Sequence, residues 1–210
     1  MATDWQSWHT PYADEFSPLS RRLRIVQGHI RAWLDLCDAA PVTVVSMCAG
    51  QGLDILQVLA GRPGADHVQV TLIEFDPRNA AAARQTAVSH GLSQVGVRCA
   101  DAGLMDSYVD AVPADLVLMC GVFGNVSDDD VERTITALPQ LCAPAATVIW
   151  TRSRRAPDMT GNIRGWFADD GFEECAFEAP DDVLFSVGVH RLTEPPRQLL
   201  AGSRMFEFAR

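Results

Sequence analysis

The residue types able to do chemistry in this chain fall into four short segments, each following an apolar run. The first is Ser46-Met47-Cys48-Ala49-Gly50-Gln51-Gly52. Its small side chains let the backbone turn tightly and let a ligand approach the main chain. The helix behind it supplies unpaired N–H groups suited to a carboxylate or other anion. Small residues are equally common in turns that bind nothing. The second segment is Ile73-Glu74-Phe75-Asp76-Pro77, with Glu74 standing 22 residues past Gly52. A carboxylate about 20 residues beyond a glycine turn, at the tip of the next strand, is the usual acceptor for ribose hydroxyls. The alternative is a carboxylate capping the helix that starts at Pro77. Asp76 fits that alternative. Glu74 fits it poorly, because it interrupts an apolar run. In the third segment, Cys99-Ala100-Asp101-Ala102, Asp101 either accepts from an adenine amino group, with a neighbouring N–H donating to the ring, or makes a local turn. In the fourth, Met119-Cys120-Gly121-Val122-Phe123-Gly124-Asn125, two glycines flank an aromatic residue. That pattern marks either close ligand approach or a plain turn.

Two further regions could shape a second ligand's site. Trp5, Trp8, His9 and Tyr12 form an amphipathic aromatic cluster near the start. It reads either as a lid over a pocket or as an anchor for a terminal arm. His9 is the candidate base, since an unperturbed imidazole titrates at about 6.5. Arg152, Arg154 and Arg155 follow an apolar run in an acidic chain. They either fork around a carboxylate or phosphate or sit solvated beside surface acids. Strand alternation sends Arg152 and Arg154 to one side and Arg155 away. His190 reads as a partly buried strand residue. Asp128-Asp129-Asp130 reads as a helix start and Asp181-Asp182 as a solvated turn; neither has metal-site spacing, so no metal is expected.

The elements that must position these residues alternate. Strands are predicted over Val42–Met47, His67–Phe75, Val95–Cys99, Asp115–Cys120 and Thr147–Thr151. Helices are predicted over Gly52–Ala60, Arg78–His90, Asp128–Leu141 and Thr160–Asp170. The runs are almost continuously apolar, as strands covered on both faces are. An alternating order with such strands means a parallel sheet flanked by helices. Phe172–Phe177 and Val183–Leu192 are joined too closely for a crossover helix and must pair antiparallel. Ahead of the sheet, Ser17-Pro18 starts a helix carrying Leu23, Val26, Ile30, Leu34 and Cys37, ending near Ala39-Ala40-Pro41. Met205–Phe208 adds an edge strand or packs as a tail.

The chain has 210 residues, 48% hydrophobic and 21% charged, enough to bury one core. Its formal net charge is −10 and all 17 basic residues are Arg. The acidic balance argues against a nucleic-acid partner and against docking on an anionic membrane. No apolar stretch reaches 18 residues and no secretory signal is visible. The six Cys form no C-x-x-C pair, which suits reduced thiols in the cytoplasm. Cys48, Cys99 and Cys120 read as soft packing at adjacent strand ends.

Taken together, VVSMCAGQGLD, LIEFDP, CADA and ADLVLMCGVFGN resemble motifs I to IV of a class I S-adenosylmethionine-dependent methyltransferase. The resemblance runs from about Val42 to Leu192. More narrowly, it is to a group of bacterial methyltransferases that supplies no substrate. It implies a Rossmann-like, doubly wound α/β sheet of seven strands, mostly parallel with an antiparallel last strand, and helices on both faces. It implies S-adenosyl-L-methionine as cofactor and S-adenosyl-L-homocysteine as product. Carried over position by position, Ser46 stands where the family's ammonium-binding acid lies and Cys48 where its first glycine lies; Ala49, Gly50 and Gly52 follow. Glu74 falls on the ribose acid, Phe75 on the apolar residue against adenine, Asp101 and Ala102 on the adenine edge, Cys120 and Gly121 near the sulfonium. Asp54 either replaces the acid missing at Ser46 or simply favours the helix start. Motif IV lacks the Asn/Asp-Pro-Pro-aromatic run common in enzymes acting on planar amide or base nitrogens.

These readings predict three parts: residues 1–40 as a lid segment and helix, 41–192 as the cofactor-binding core, and 193–210 as a tail packed on it. The predicted function is methyl transfer to a small, possibly anionic, acceptor by a monomer or homodimer. Trp5, Trp8, Tyr12, Arg152 and Arg154 are the expected acceptor contacts. The alternative is a non-catalytic cofactor- or partner-binding protein on the same scaffold, motivated by Ser46 and Cys48.

Overall fold

A computed structural model describes Tyr12, residues 14–37 and residues 40–208. In chain order the elements are α1 (Pro18–Leu36), β1 (Val42–Met47), α2 (Leu53–Ala60), β2 (Val68–Glu74), α3 (Pro77–Ser89), β3 (Val95–Cys99), β4 (Ala114–Met119), α4 (Asp128–Ala137), β5 (Cys142–Ser153), α5 (Thr160–Asp169), β6 (Phe172–Glu178) and β7 (Phe185–Leu192). The strands form one sheet in the order β3-β2-β1-β4-β5-β7-β6. All neighbours are parallel except the pairs made by β7. The chain first builds outward from β1 to β3, then restarts on β1's other edge with β4. The tips of β1 and β4 therefore diverge into a crevice, where open sheets of this kind bind ligands.

Side chains alternate between two cores, as a two-residue strand period requires. On β4, Leu116 and Leu118 join the layer of α1, α2 and α3 through Val26, Ile55 and Ala83. Val117 and Met119 join the opposite layer of α4 and α5 through Ile135 and Phe167. Capping sets several starts. Ser17 Oγ accepts from Ser20 N at 3.1 Å ahead of Pro18, and Ser127 accepts from Asp130 N ahead of the acidic first turn of α4.

Most element boundaries fall within two residues of expectation, and three depart further. α4 ends at Ala137 rather than Leu141, where Leu138–Gln140 tighten into a 3-10 turn at Pro139. α1 ends at Leu36 rather than near 40, because its apolar stripe stops at buried Leu34 and Leu36 is 85% exposed. Strand β5 begins at Cys142, five residues early. Pro144 and a bulge opposite Ala114 and Leu116 disguise its first half. The tail forms only isolated bridges, Leu104 with Arg204 and Val126 with Phe208, so it packs as a tail and not as an edge strand.

His190 on β7 is 1% exposed, and its Nδ1 accepts from Trp150 Nε1 at 3.1 Å. Indole only donates, so the imidazole proton sits on Nε2. That atom lies 3.7 Å from Glu174, which Arg164 holds in a two-pronged ion pair. Burial, outweighing the attraction of Glu174, lowers the His190 pKa to about 4. The unfolded chain then binds the proton more readily, so folding stability is whole above about pH 6.5 and declines toward pH 4. Urea midpoints of wild type and His190→Gln, which keeps an acceptor for Trp150, should converge as pH falls through this window. A constant gap between the two would contradict the neutral, buried imidazole.

Candidate functional site

The bend after β1 is built from left-handed residues: Cys48, Gly50 and Gly52 have φ of 52°, 57° and 69°. A side chain at Gly52 would meet strain from this φ and a methyl of Leu72 at 2.7 Å. The bend is tied to the tip of β2 by one side chain. Glu74, 7% exposed, accepts from Gly50 N and from Asp76 N, each at 2.7 Å. Each carboxylate oxygen has a second lone pair, so both can still accept from a ligand. Ala49 N donates to Ile73 O at 2.9 Å, extending the ladder past the strand end.

A cleft of about 900 Å³, counted out to bulk solvent, opens between these segments, the β4 tip and α1. Seven of the eleven expected cofactor contacts line it: Cys48, Ala49, Gly50, Glu74, Phe75, Cys120 and Gly121. Phe75 is 70% exposed at its edge. The other four lie behind the walls. Ser46 is buried within β1, with Leu72 and Leu118 as its strand partners. Gly52 starts α2. Asp101 accepts from Gly103 N at 2.8 Å and pairs with Arg204 at 3.0 Å. Ala102 is buried, its carbonyl accepting from the Tyr108 hydroxyl.

The floor of the cleft carries a polar cluster. Arg22 of α1 donates to the Tyr12 hydroxyl at 3.2 Å. Asp54, in the first turn of α2, is 7% exposed and accepts from Ile55 N at 2.8 Å. Burial raises its pKa to about 6 against the pull of that N–H and of Arg22. The Cys120 thiol is hydrogen-bonded to Asp54, and burial together with that carboxylate drives its pKa up, so it stays protonated. Burial and the carboxylates of Glu74 and Asp101 likewise hold Cys48 well above the thiol range. Asn79 Oδ1 is buried in the cleft wall with no hydrogen-bond partner among the described residues.

A second cavity of about 1360 Å³, measured the same way, adjoins the first; Arg22, Gly121 and Asn125 line both. Arg152 and Arg155 face it. The Arg152 side chain is 14% exposed; Nη2 lies 3.2 Å from Asp128, while Nη1 is buried without a partner among the described residues. Alternation placed Arg154 on this side and Arg155 away from it, and the structure has the reverse. Strand β5 stops at Ser153, so the pleat no longer governs residue 154. Its guanidinium donates instead to the carbonyls of Pro180, Val183 and Phe185 and straps the β6–β7 loop. Trp5, Trp8 and His9 lie outside the described residues; Tyr12 lines the first cleft.

Arg22, Asn79, Asn125 and Phe208 are cleft residues that sequence reasoning missed. Arg22 had a signal: it lies one turn before Val26, on a face that continues to buried Ile30. Among the described residues, no group of three His, Cys, Asp or Glu side chains is placed to hold a metal ion.

No protein-family model and no curated protein matches this chain. Solved structures do. Magnesium protoporphyrin IX methyltransferase from Synechocystis PCC 6803, with bound S-adenosylmethionine, superposes at a TM-score of 0.67 with 14% identity, covering 91% of this chain and 92% of that one. The same enzyme with bound S-adenosylhomocysteine gives 0.63, 15% identity, and 91% and 94% coverage. An O-methyltransferase family protein from Burkholderia thailandensis gives 0.63 with 14% identity, covering 83% of this chain but 56% of its own, so the chain spans little more than half its length. The fold is that of class I methyltransferases.

Burial of Asp54 outweighs the attraction of Arg22 and of the Ile55 N–H, so its ionised form is disfavoured in the folded protein. Its folded pKa lies above the unfolded value, so stability declines as pH rises from about 4 through about 6. Asp54→Asn should therefore raise stability at pH 7 by about 1–2 kcal/mol in urea unfolding. A destabilised variant would contradict this electrostatic reading.

Proposed function

We propose that this protein transfers a methyl group from S-adenosylmethionine to a small anionic acceptor. The observation that carries the reading is Glu74: a buried carboxylate fastened by two main-chain N–H groups at the crevice, with lone pairs left for a ribose diol. The cleft fits an adenosyl ligand in two other respects. Asn79 Oδ1 is an orphaned acceptor in its wall beside Glu74, and Phe75 offers an exposed ring. Asp54 lines the cleft where Ser46 does not, and takes the role of the missing acid toward the ligand's ammonium. Asp101 and Ala102 do not line the cleft, so in this reading neither contacts the adenine directly.

When bound, the sulfonium supplies an electrophilic methyl group and leaves as a neutral thioether, so the displacement needs alignment and dryness more than acid–base chemistry. Gly121, Asn125 and Arg22 stand where the two cavities meet, and are the residues an acceptor passes or touches. Arg152, with Arg155 and Arg22, directs positive charge into the second cavity; the unpartnered Nη1 of Arg152 suits a carboxylate or phosphate oxygen. An acceptor that reacts through an anionic oxygen has no proton to lose and needs no general base. For a neutral hydroxyl acceptor, His9 is the proposed base. Arg154 shapes the site through the loop it straps.

Calorimetry with S-adenosylhomocysteine tests the cofactor. Wild type should bind, and Glu74→Ala should weaken binding about tenfold or more, on the scale of lost charged hydrogen bonds. Affinity should also fall as pH drops below about 6 and Asp54 protonates. Methylthioadenosine, which lacks the ammonium, should show no such fall. Unchanged affinity in Glu74→Ala would remove the ribose assignment. For the acceptor, a mass-shift screen of carboxylate- and phosphate-bearing metabolites should yield a product about 14 mass units heavier. Arg152→Ala should then raise the acceptor's KM about tenfold while leaving S-adenosylhomocysteine affinity intact. Equal loss of both would assign Arg152 to the fold instead.

A further inference from the structure

We infer that the C-terminal segment 203–208 forms a wall of the nucleoside cleft, with Phe208 as the ring against the purine and Arg204 as the residue that positions it. The inference rests on the adenosyl reading above.

A segment without helix or strand holds one position only where something ties it down. This one is tied at two strand tips. Beyond β3, Met105 N donates to Ser203 O at 3.0 Å and Met205 N donates to Gly103 O at 2.8 Å. Between them Arg204 pairs with Asp101 at 3.0 Å and donates to Phe206 O at 3.2 Å. The two backbones cross so closely that a Cβ on Gly103 would lie 2.2 Å from Phe206 O, an atom that cannot swing aside. Beyond β4, Phe208 bridges Val126, and Glu207 N donates to Asp130 at 3.1 Å. Met205 and Phe206 between these ties are each 1% exposed.

What this fastening delivers is Phe208. Its ring is half-buried, lies edge-on to Phe206 at 5.7 Å, and lines the same cleft as Glu74 and Phe75. Two aromatic rings, one from the β2 tip and one from the tail, thus share a wall system with a carboxylate suited to ribose. Purines present flat π-faces to such rings. Asp101, expected at the adenine edge, acts here through Arg204: its carboxylate anchors the tail that carries the ring. The segment belongs to the binding site, although no strand-tip motif contains it.

The test is calorimetry on the full chain with S-adenosylhomocysteine and with methylthioadenosine. Phe208→Ala should weaken both ligands by the same factor, about tenfold, while remaining folded at the assay temperature by circular dichroism. Phe208→Tyr should bind as wild type, and Phe208→Leu, which keeps bulk but not the ring, should resemble Phe208→Ala. Arg204→Ala should weaken both ligands, Arg204→Lys should recover part of the loss, and Arg204→Ala combined with Phe208→Ala should be no weaker than Phe208→Ala alone. Wild-type binding with an unaffected Phe208→Ala would overturn this inference and leave the adenosyl reading standing. Additive losses in the double variant would overturn the positioning role of Arg204. Wild type that binds neither ligand at millimolar concentration would overturn both readings.

Discussion

A carboxylate buried at the tip of β2 accepts from the main chain on both of its oxygens, and the rest of the site is arranged around that fact. Glu74 joins the glycine bend after β1 to the first residue of the turn into α3. A buried charge is costly unless hydrogen-bonded, and bonds from N–H to an ionised acceptor are among the stronger ones. The bend depends on the same contact. Three of its five residues from Cys48 to Gly52 are left-handed; the two glycines adopt this freely, but Cys48 is strained there, and such strain persists only where the surroundings over-determine it. One side chain therefore holds the frame and presents oxygens to the cleft.

Two cavities meet where the sheet changes direction, and their electrostatics differ. The first has carboxylates at Glu74 and Asp54, with protonated thiols between them. The second has the guanidinium groups of Arg152, paired with Asp128, and Arg155, the Asp182 carboxylate paired with Arg21, and Arg22 at the junction. That division suits a cationic donor on one side and an anionic acceptor on the other. Asp54 is held ionised only at some cost to the fold, a compromise found where function needs a buried charge. In a protein whose net charge is −10, these guanidinium groups are a local exception to the acidic balance.

Much of this frame was legible in the sequence. Buried parallel strands announce themselves as apolar runs, and β1 and β3 matched their predicted bounds. Glu74 stood out because it breaks such a run. Local caps, at Ser17 and Asp76, were equally visible. What stayed hidden depends on contacts distant along the chain. Asp101 read equally as an adenine-edge acid or a local turn; its bond from Gly103 N is such a turn, while its partner Arg204 lies 103 residues away. Alternation failed at Arg154 because nothing in the local pattern marks the last paired residue of β5. Phe208 carried no signal, since a tail without periodicity shows where it packs only once the sheet has formed. Ser46 sits in a strand position whose side chain is buried, so it does not line the cleft, which no local pattern announces.

The most direct measurement is a crystal structure of the protein with S-adenosylhomocysteine. The account predicts both ribose hydroxyls within hydrogen-bond distance of the Glu74 carboxylate, with the Gly50 N–H bond to that carboxylate retained. A nucleoside seated elsewhere, with Glu74 contacting only its own backbone neighbours, would contradict it.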